Sequence, residues 1–215
     1  MGLLLDTGVA PVAGGGGGVP LLLPTDLVGT SSYDAGTRIL TVQDGGIVQI
    51  GDAQTFPVRL RARVRWTSTL GNGYVYFCFA TTLSPEFVGL GARLRSSGTH
   101  GLTRQTGTLA APSASNVGSG GSMLPTPVGG TWIRLDSTSI PYLSDGRHKA
   151  LSVVYTEGDA GGAIDFDVSP AWLEGDWTSD ADPAPTATLC VHNDSGEDFD
   201  IDLGALYVDL FEEGR

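Results

Sequence analysis

Apolar and basic residues alternate without a break along residues 58–66, Val-Arg-Leu-Arg-Ala-Arg-Val-Arg-Trp. Strand side chains point to opposite faces in turn. Val58, Leu60, Ala62, Val64 and Trp66 therefore form an apolar face, and Arg59, Arg61, Arg63 and Arg65 a cationic one. Guanidiniums repeating about every 7 Å repel one another unless anions lie alongside. Two other segments carry the same period with the opposite charge: Asp198-Phe199-Asp200-Ile201-Asp202-Leu203 and Ile164-Asp165-Phe166-Asp167-Val168. Pairing such strands with the arginine strand sets carboxylates beside guanidiniums and apolar groups inward, and a one-residue slip would reverse every face. The 58–66 strand is thus predicted to share a sheet with 198–203, 163–168 or both. If neither lies beside it, the four arginines become a surface for an acidic partner.

The rest of the chain from residue 38 reads as short strands broken by Gly, Asp, Asn and Pro. Predicted strands cover 38–43, 46–50, 58–66, 73–80, 87–95, 131–136, 149–155, 163–168, 186–192, 198–203 and 205–211. Asp44-Gly45-Gly46 and Gly71-Asn72-Gly73 have hairpin-turn chemistry. No segment sustains a 3.6-residue period, so the pattern predicts an all-β sandwich or barrel. Ser, Gly, Thr and Ala interrupt it over 96–130, which reads as a long loop or flap.

Residues 1–35 read as an extended arm. Gly14 to Gly18 is an unbroken glycine run between short apolar pieces, Leu3-Leu4-Leu5 and Leu21-Leu22-Leu23. Ordering five glycines costs much backbone entropy. Those six leucines are therefore expected to dock on a partner subunit, either another component of an assembly or a second copy of the chain.

Charge changes this picture in one respect. Of 215 residues, 24 are acidic and 12 basic, a net charge of −12. From Asp136 onward the chain carries −15, and before it +3. Opposite halves of this kind favour one sheet system over two separate domains. The acidity argues against nucleic-acid binding. No run approaches 18 apolar residues, so no membrane insertion is expected. The Met1–Asp6 start is short and acidic, unlike a signal peptide. Cys78 and Cys190 each fall in a strand-like run and are expected as buried thiols.

Residues 144–155, Ser-Asp-Gly-Arg-His-Lys-Ala-Leu-Ser-Val-Val-Tyr, resemble the Asp-Gly-x-Trp-His strand of concanavalin A-like and laminin-G-like jelly rolls. Gly162–Phe166 would be the next strand, and Leu203–Leu210 is similar to the closing one. Arg147 stands where that family has Trp. The resemblance spans about residues 36–211 and implies an antiparallel jelly-roll-like β-sandwich, in a family that includes glycan binders, glycosidases and calcium-carrying members.

Candidate chemistry is sparse. There is no Gly-x-Ser-x-Gly elbow and no phosphate loop. Glu174-Gly175-Asp176-Trp177 begins like the family's catalytic Glu-x-Asp-x-x-Glu strand, but Ser179 takes the second Glu position. No catalytic residue is therefore expected, and no cofactor. Glu174, Asp176, Asp180 and Asp182 are the candidate ligands for a structural calcium ion. Trp66 and Trp132 follow strand alternation and are expected in the core. Trp172 and Trp177, with His100 in the flap, are the candidate ligand-binding residues.

These readings together predict a non-catalytic structural or adhesive part of a large assembly. A phage or phage-like virion is the expected setting, with the chain docking through its arm and presenting a sandwich to host surface polysaccharide. The alternative is a stand-alone carbohydrate-binding or carbohydrate-cleaving jelly roll.

Overall fold

The structure is a computed structural model that describes residues 23–55, 58–68, 72–116, 121–122, 129–142, 147–157, 164–166, 171–175 and 186–210. Its first strands are β1 (Pro24–Val28), β2 (Ser31–Asp34), β3 (Ile39–Val42), β4 (Ile47–Thr55), β5 (Val58–Trp66) and β6 (Tyr74–Thr82). Then come β7 (Val88–Arg95), β8 (Thr99–Thr108), β9 (Ala111–Asn116), β10 (Gly121–Ser122), β11 (Ile133–Tyr142) and β12 (Arg147–Glu157). The last are β13 (Ile164–Phe166), β14 (Ala171–Gly175), β15 (Thr186–Asp194), β16 (Phe199–Asp202) and β17 (Tyr207–Leu210), with a 3-10 turn at Leu203–Ala205. Among the described residues no helix is long and apolar enough to cross a membrane.

The strands form two antiparallel sheets. One runs β1-β4-β15-β6-β7-β8-β10, with β9 also on β8. The other runs β13-β12-β11-β5-β16-β3-β2, with β14 on β12 and β17 on β5. Late strands thus enter both sheets beside early ones: β15 lies between β4 and β6, and β16 between β5 and β3. The two charge halves interleave, and the fold is an antiparallel jelly-roll-like sandwich, one of the two all-β architectures that the strand pattern predicts and the one that the resemblance implies.

Alternation explains the core between the sheets. Leu60, Ala62, Val64 and Trp66 of β5 are buried there with Phe199 and Ile201 of β16, Ile133 and Leu135 of β11, and Leu40 and Val42 of β3. The facing sheet contributes Val75, Phe77 and Phe79 of β6 and Leu189 and Val191 of β15. Phe199 receives Trp66 edge-on at 5.3 Å and Phe77 at 5.9 Å between ring centres, joining the two layers. Such aromatic pairs add about 0.5–1.5 kcal/mol beyond the area they bury.

Three details differ from the sequence reading. Residues 24–34, read as part of the arm, are edge strands: β1 pairs β4, and β2 pairs β3. Residues 99–108, read as flap, form the full strand β8, because its small and polar residues pair on both sides with β7 and β9. The Asp44-Gly45-Gly46 turn is a corner between sheets and not a hairpin. It is held by Asn193, whose backbone carbonyl accepts from Gly45 N at 2.7 Å and whose N–H donates to Gly46 O at 2.9 Å. The buried Asn193 amide also donates to the carbonyls of Val42 (2.8 Å) and Glu197 (2.7 Å), which fixes the crossing from β15 to β16.

Candidate functional site

The arginine strand lies where the alternation requires. β16 is its neighbour, with Arg65 opposite Asp200. Arg65 Nε donates to Asp200 Oδ2 at 2.9 Å, and Arg63 Nη1 to Asp202 Oδ2 at 3.3 Å. Asp200 is 4 % exposed and also accepts from Thr41 Oγ1 at 2.7 Å, so each of its oxygens has a donor. Backbone register sets Arg61 opposite Asp136 of β11 and Arg59 opposite Asp209 of β17. The 164–166 strand is in the same sheet but at its end, beyond β12 and β11. Arg63 and Arg65 thus have anions within the chain.

Trp132, expected in the core, is on the outside. It is half-buried under Arg63 and Arg65, whose guanidinium carbons both lie 4.4 Å from its ring centre. Ile133 and Leu135 of β11 face the core and Arg134 is exposed, so the same alternation carried back one residue sets Trp132 on the outer face. His100, a candidate ligand residue in the flap, is 3 % exposed and sits opposite Leu94 on the core-facing side of β8. That position removes it from any open surface. Trp172 and Glu174 are in β14, opposite Leu151 and Lys149 of β12. Trp177, Asp176, Asp180 and Asp182, with Leu3, Leu4, Leu5, Leu21 and Leu22, lie outside the described residues. Leu23 is exposed, and its carbonyl accepts from Gly51 N at 3.1 Å. Among the described residues no three His, Cys, Asp or Glu side chains are placed to hold a metal ion.

A different group of residues converges on the other sheet, on the face turned away from the core. Four rows cross β15, β6, β7 and β8 there: Thr188-Ala80-Gly89-Gln105, Cys190-Cys78-Gly91-Thr103, His192-Tyr76-Arg93-Gly101 and Asp194-Tyr74-Arg95-Thr99. Gln105 Nε2 lies 2.7 Å from His192 Nδ1. In a flat sheet, strands three apart would be about 14 Å from each other. The contact therefore requires the sheet to curl toward this face, making it concave. Gly91 keeps the floor low: a Cβ there would fall 1.8 Å from the Phe77 carbonyl oxygen.

One end of the concave face is closed. Phe87 packs with Ala80 and Cys190, and Leu27, Leu83 and Leu109 cover them. Cys78 and Cys190 stand directly opposite each other as buried free thiols. Burial pushes both thiols up, Cys190 to about 12, which keeps them protonated.

The other end is aromatic and cationic. Tyr76 stacks on His192 at 5.3 Å with 23° between the rings, and Tyr74 follows at 5.9 Å from Tyr76. Arg93 and Arg95 lie 4.8 and 5.2 Å from the Tyr74 ring centre. Burial raises the Tyr76 hydroxyl to about 12, with Asp194 adding to the shift. Burial also lowers His192, against the opposing pull of Asp194 and Asp44. Both groups are therefore neutral at pH 7 and act as hydrogen-bonding groups. Nδ1 of His192 accepts from Gln105, which leaves the proton on Nε2. Gln105 Oε1 is buried with no hydrogen-bond partner among the described residues.

Sequence reasoning passed over these residues, although Tyr74-x-Tyr76 and Arg93-x-Arg95 carry the same two-residue period as the arginine strand. His192 and Gln105 left no sequence signal, since only the curl of the sheet brings them together.

No family model matches the chain, and no curated protein matches it. Among solved structures it is similar to the carbohydrate-binding module CBM66 from Bacillus subtilis, at 10 % identity over 88 % of this chain and 97 % of that one, with a TM-score of 0.48. A β-1,3-glucanase from Mycobacterium marinum is similar at 14 % identity over 81 % and 75 %, with a TM-score of 0.37. A bifunctional GH43-CE protein from Bacteroides eggerthii is similar at 12 % identity over 85 % and 22 %, with a TM-score of 0.43.

Proposed function

We propose that the chain is a non-catalytic glycan-binding β-sandwich, with its ligand on the concave face of the eight-stranded sheet. The observation that carries this reading is the row of neighbouring rings His192, Tyr76 and Tyr74, on the sheet face turned away from the main core and flanked by Arg93, Arg95 and Gln105. A sheet face that only met solvent would need no buried, hydrogen-bonded His–Gln pair. A sugar ring presents an apolar C–H face and a rim of hydroxyls. Tyr74 supplies a surface for the first, and the half-buried Arg93 and Arg95 supply partners for the second, with the buried Tyr76 and His192 holding Tyr74 in place.

Binding is favoured over cleavage on chemical grounds. Glycoside hydrolysis uses two carboxylates, about 5–5.5 Å apart in retaining enzymes and about 6.5–9.5 Å apart in inverting ones. The four rows of the concave face hold one, Asp194. A virion setting rested on the glycine arm, and residues 1–22 lie outside the described residues.

A glycan array probed with the purified protein, followed by calorimetry on the best ligand, tests the reading. Tyr74→Ala should weaken binding about tenfold, the equivalent of one lost aromatic contact. A folded protein that binds no saccharide, or a Tyr74→Ala variant that binds as well as the parent, would overturn it.

A further inference from the structure

Arg93 and Arg95 differ from Arg63 and Arg65 in one respect that chemistry makes meaningful. They alternate on β7, so their Cα atoms are about 7 Å apart on one face. Arg95 Nε donates to the Asn72 carbonyl at 2.8 Å, which fixes its guanidinium beside Tyr74 and leaves its two terminal nitrogens without a hydrogen bond among the described residues. Arg93 has the Tyr74 ring beneath it and no hydrogen-bonding partner among the described residues. Neither has a carboxylate within ion-pair distance there. Asp194, in the same row as Arg95, is separated from it by Tyr74. In a chain of net charge −12 with twice as many acids as bases, two half-buried arginines without a carboxylate are an unfilled demand for an anion.

We propose that Tyr74, Arg93 and Arg95 form a subsite for the oxyanion of an acidic sugar, a carboxylate or sulfate carried by the glycan that this face binds. The proposal deepens the glycan-binding reading and rests on it. Two planar guanidiniums present paired N–H donors that match an oxyanion, and the ring between them holds the sugar to which it is attached. The acidity of the whole chain narrows the ligand class. A dense polyanion such as nucleic acid is repelled, whereas a sugar chain with spaced single charges meets the local pair within the screening distance of about 8 Å.

The test measures binding of the full chain to four probes by calorimetry: a hexuronate oligosaccharide, its carboxyl-reduced neutral counterpart, a sulfated oligosaccharide of the same length, and inorganic sulfate. At least one acidic oligosaccharide should bind about tenfold or more tighter than the neutral one, and the order of the two identifies the oxyanion. Arg93→Gln and Arg95→Gln should each remove that preference, bringing the acidic oligosaccharide to the affinity that the same variant has for the neutral one. Equal binding of acidic and neutral sugars would overturn the oxyanion subsite and leave the glycan face standing. Arginine-dependent binding of inorganic sulfate with no saccharide bound would support the anion site and overturn the glycan reading. No binding of any probe would overturn both.

Discussion

In each sheet two arginines two positions apart flank an aromatic ring. Arg63 and Arg65 both lie 4.4 Å from the centre of Trp132, and Arg93 and Arg95 lie 4.8 and 5.2 Å from that of Tyr74. The first pair is neutralised: Arg65 meets Asp200 at 2.9 Å and Arg63 meets Asp202 at 3.3 Å. The second has no such carboxylate among the described residues. β16 places alternate aspartates against β5, whereas the row that crosses β7 at Arg95 offers Tyr74 and Thr99 as neighbours. The same local device therefore fixes strand register in one sheet and stays open to a ligand in the other.

Removing an anion should separate the two pairs most strongly. Asp200→Ala strips Arg65 and Thr41 of a shared, almost fully buried acceptor. It should cost about 2 kcal/mol in urea unfolding, less than a fully buried pair because the Arg65 side chain is 33 % exposed. No stability change would mean that the β5–β16 register does not depend on the pair.

A smaller effect is expected when the aromatic ring is removed. Trp132→Ala should lower stability by about 1 kcal/mol, since both guanidiniums lose their ring. Tyr74→Ala should lower stability less and weaken saccharide binding, so the two variants should fail in different assays.

The concave face also predicts a pH signature of modest size. His192 is lowered below its ordinary 6.5 by burial. The unfolded chain therefore binds a proton at a higher pH than the folded one. Its contribution is complete above pH 6.5 and is lost as pH falls from there toward the folded value. His192→Gln should flatten that part of the stability–pH curve; an unchanged slope would show that other groups produce it.

The contrast between the sheets also explains what could be read in advance. Residues 58–66 and 198–203 alternate apolar with charged residues, so their faces, pairing and neutralisation follow from period and sign. Tyr74-Val75-Tyr76-Phe77-Cys78-Phe79 is apolar on both faces, because Val75, Phe77 and Phe79 meet the core while Tyr76 and Cys78 are buried on the concave side. Alternation is erased in such a strand, and with it the mark of the outer face. β8 was hidden for a related reason: Gly101, Thr103 and Gln105 are buried without being apolar. Trp172 and Trp177 drew attention through their turn-like surroundings, a weaker guide than the curl that joins Gln105 to His192. Asp136 and Asp209, opposite Arg61 and Arg59, needed the register of β11 and β17 to be seen.

The most direct measurement is urea unfolding of two double variants, Arg63→Gln/Arg65→Gln and Arg93→Gln/Arg95→Gln. The first leaves Asp200 buried without its cation and should lose about 2 kcal/mol or more. The second removes, among the described residues, no ion pair, only the exposed Arg95–Asn72 hydrogen bond and the contacts with Tyr74, and should lose about 1 kcal/mol or less. Equal losses, or a larger loss in the β7 variant, would contradict the division between arginines that hold the fold and arginines that await a ligand.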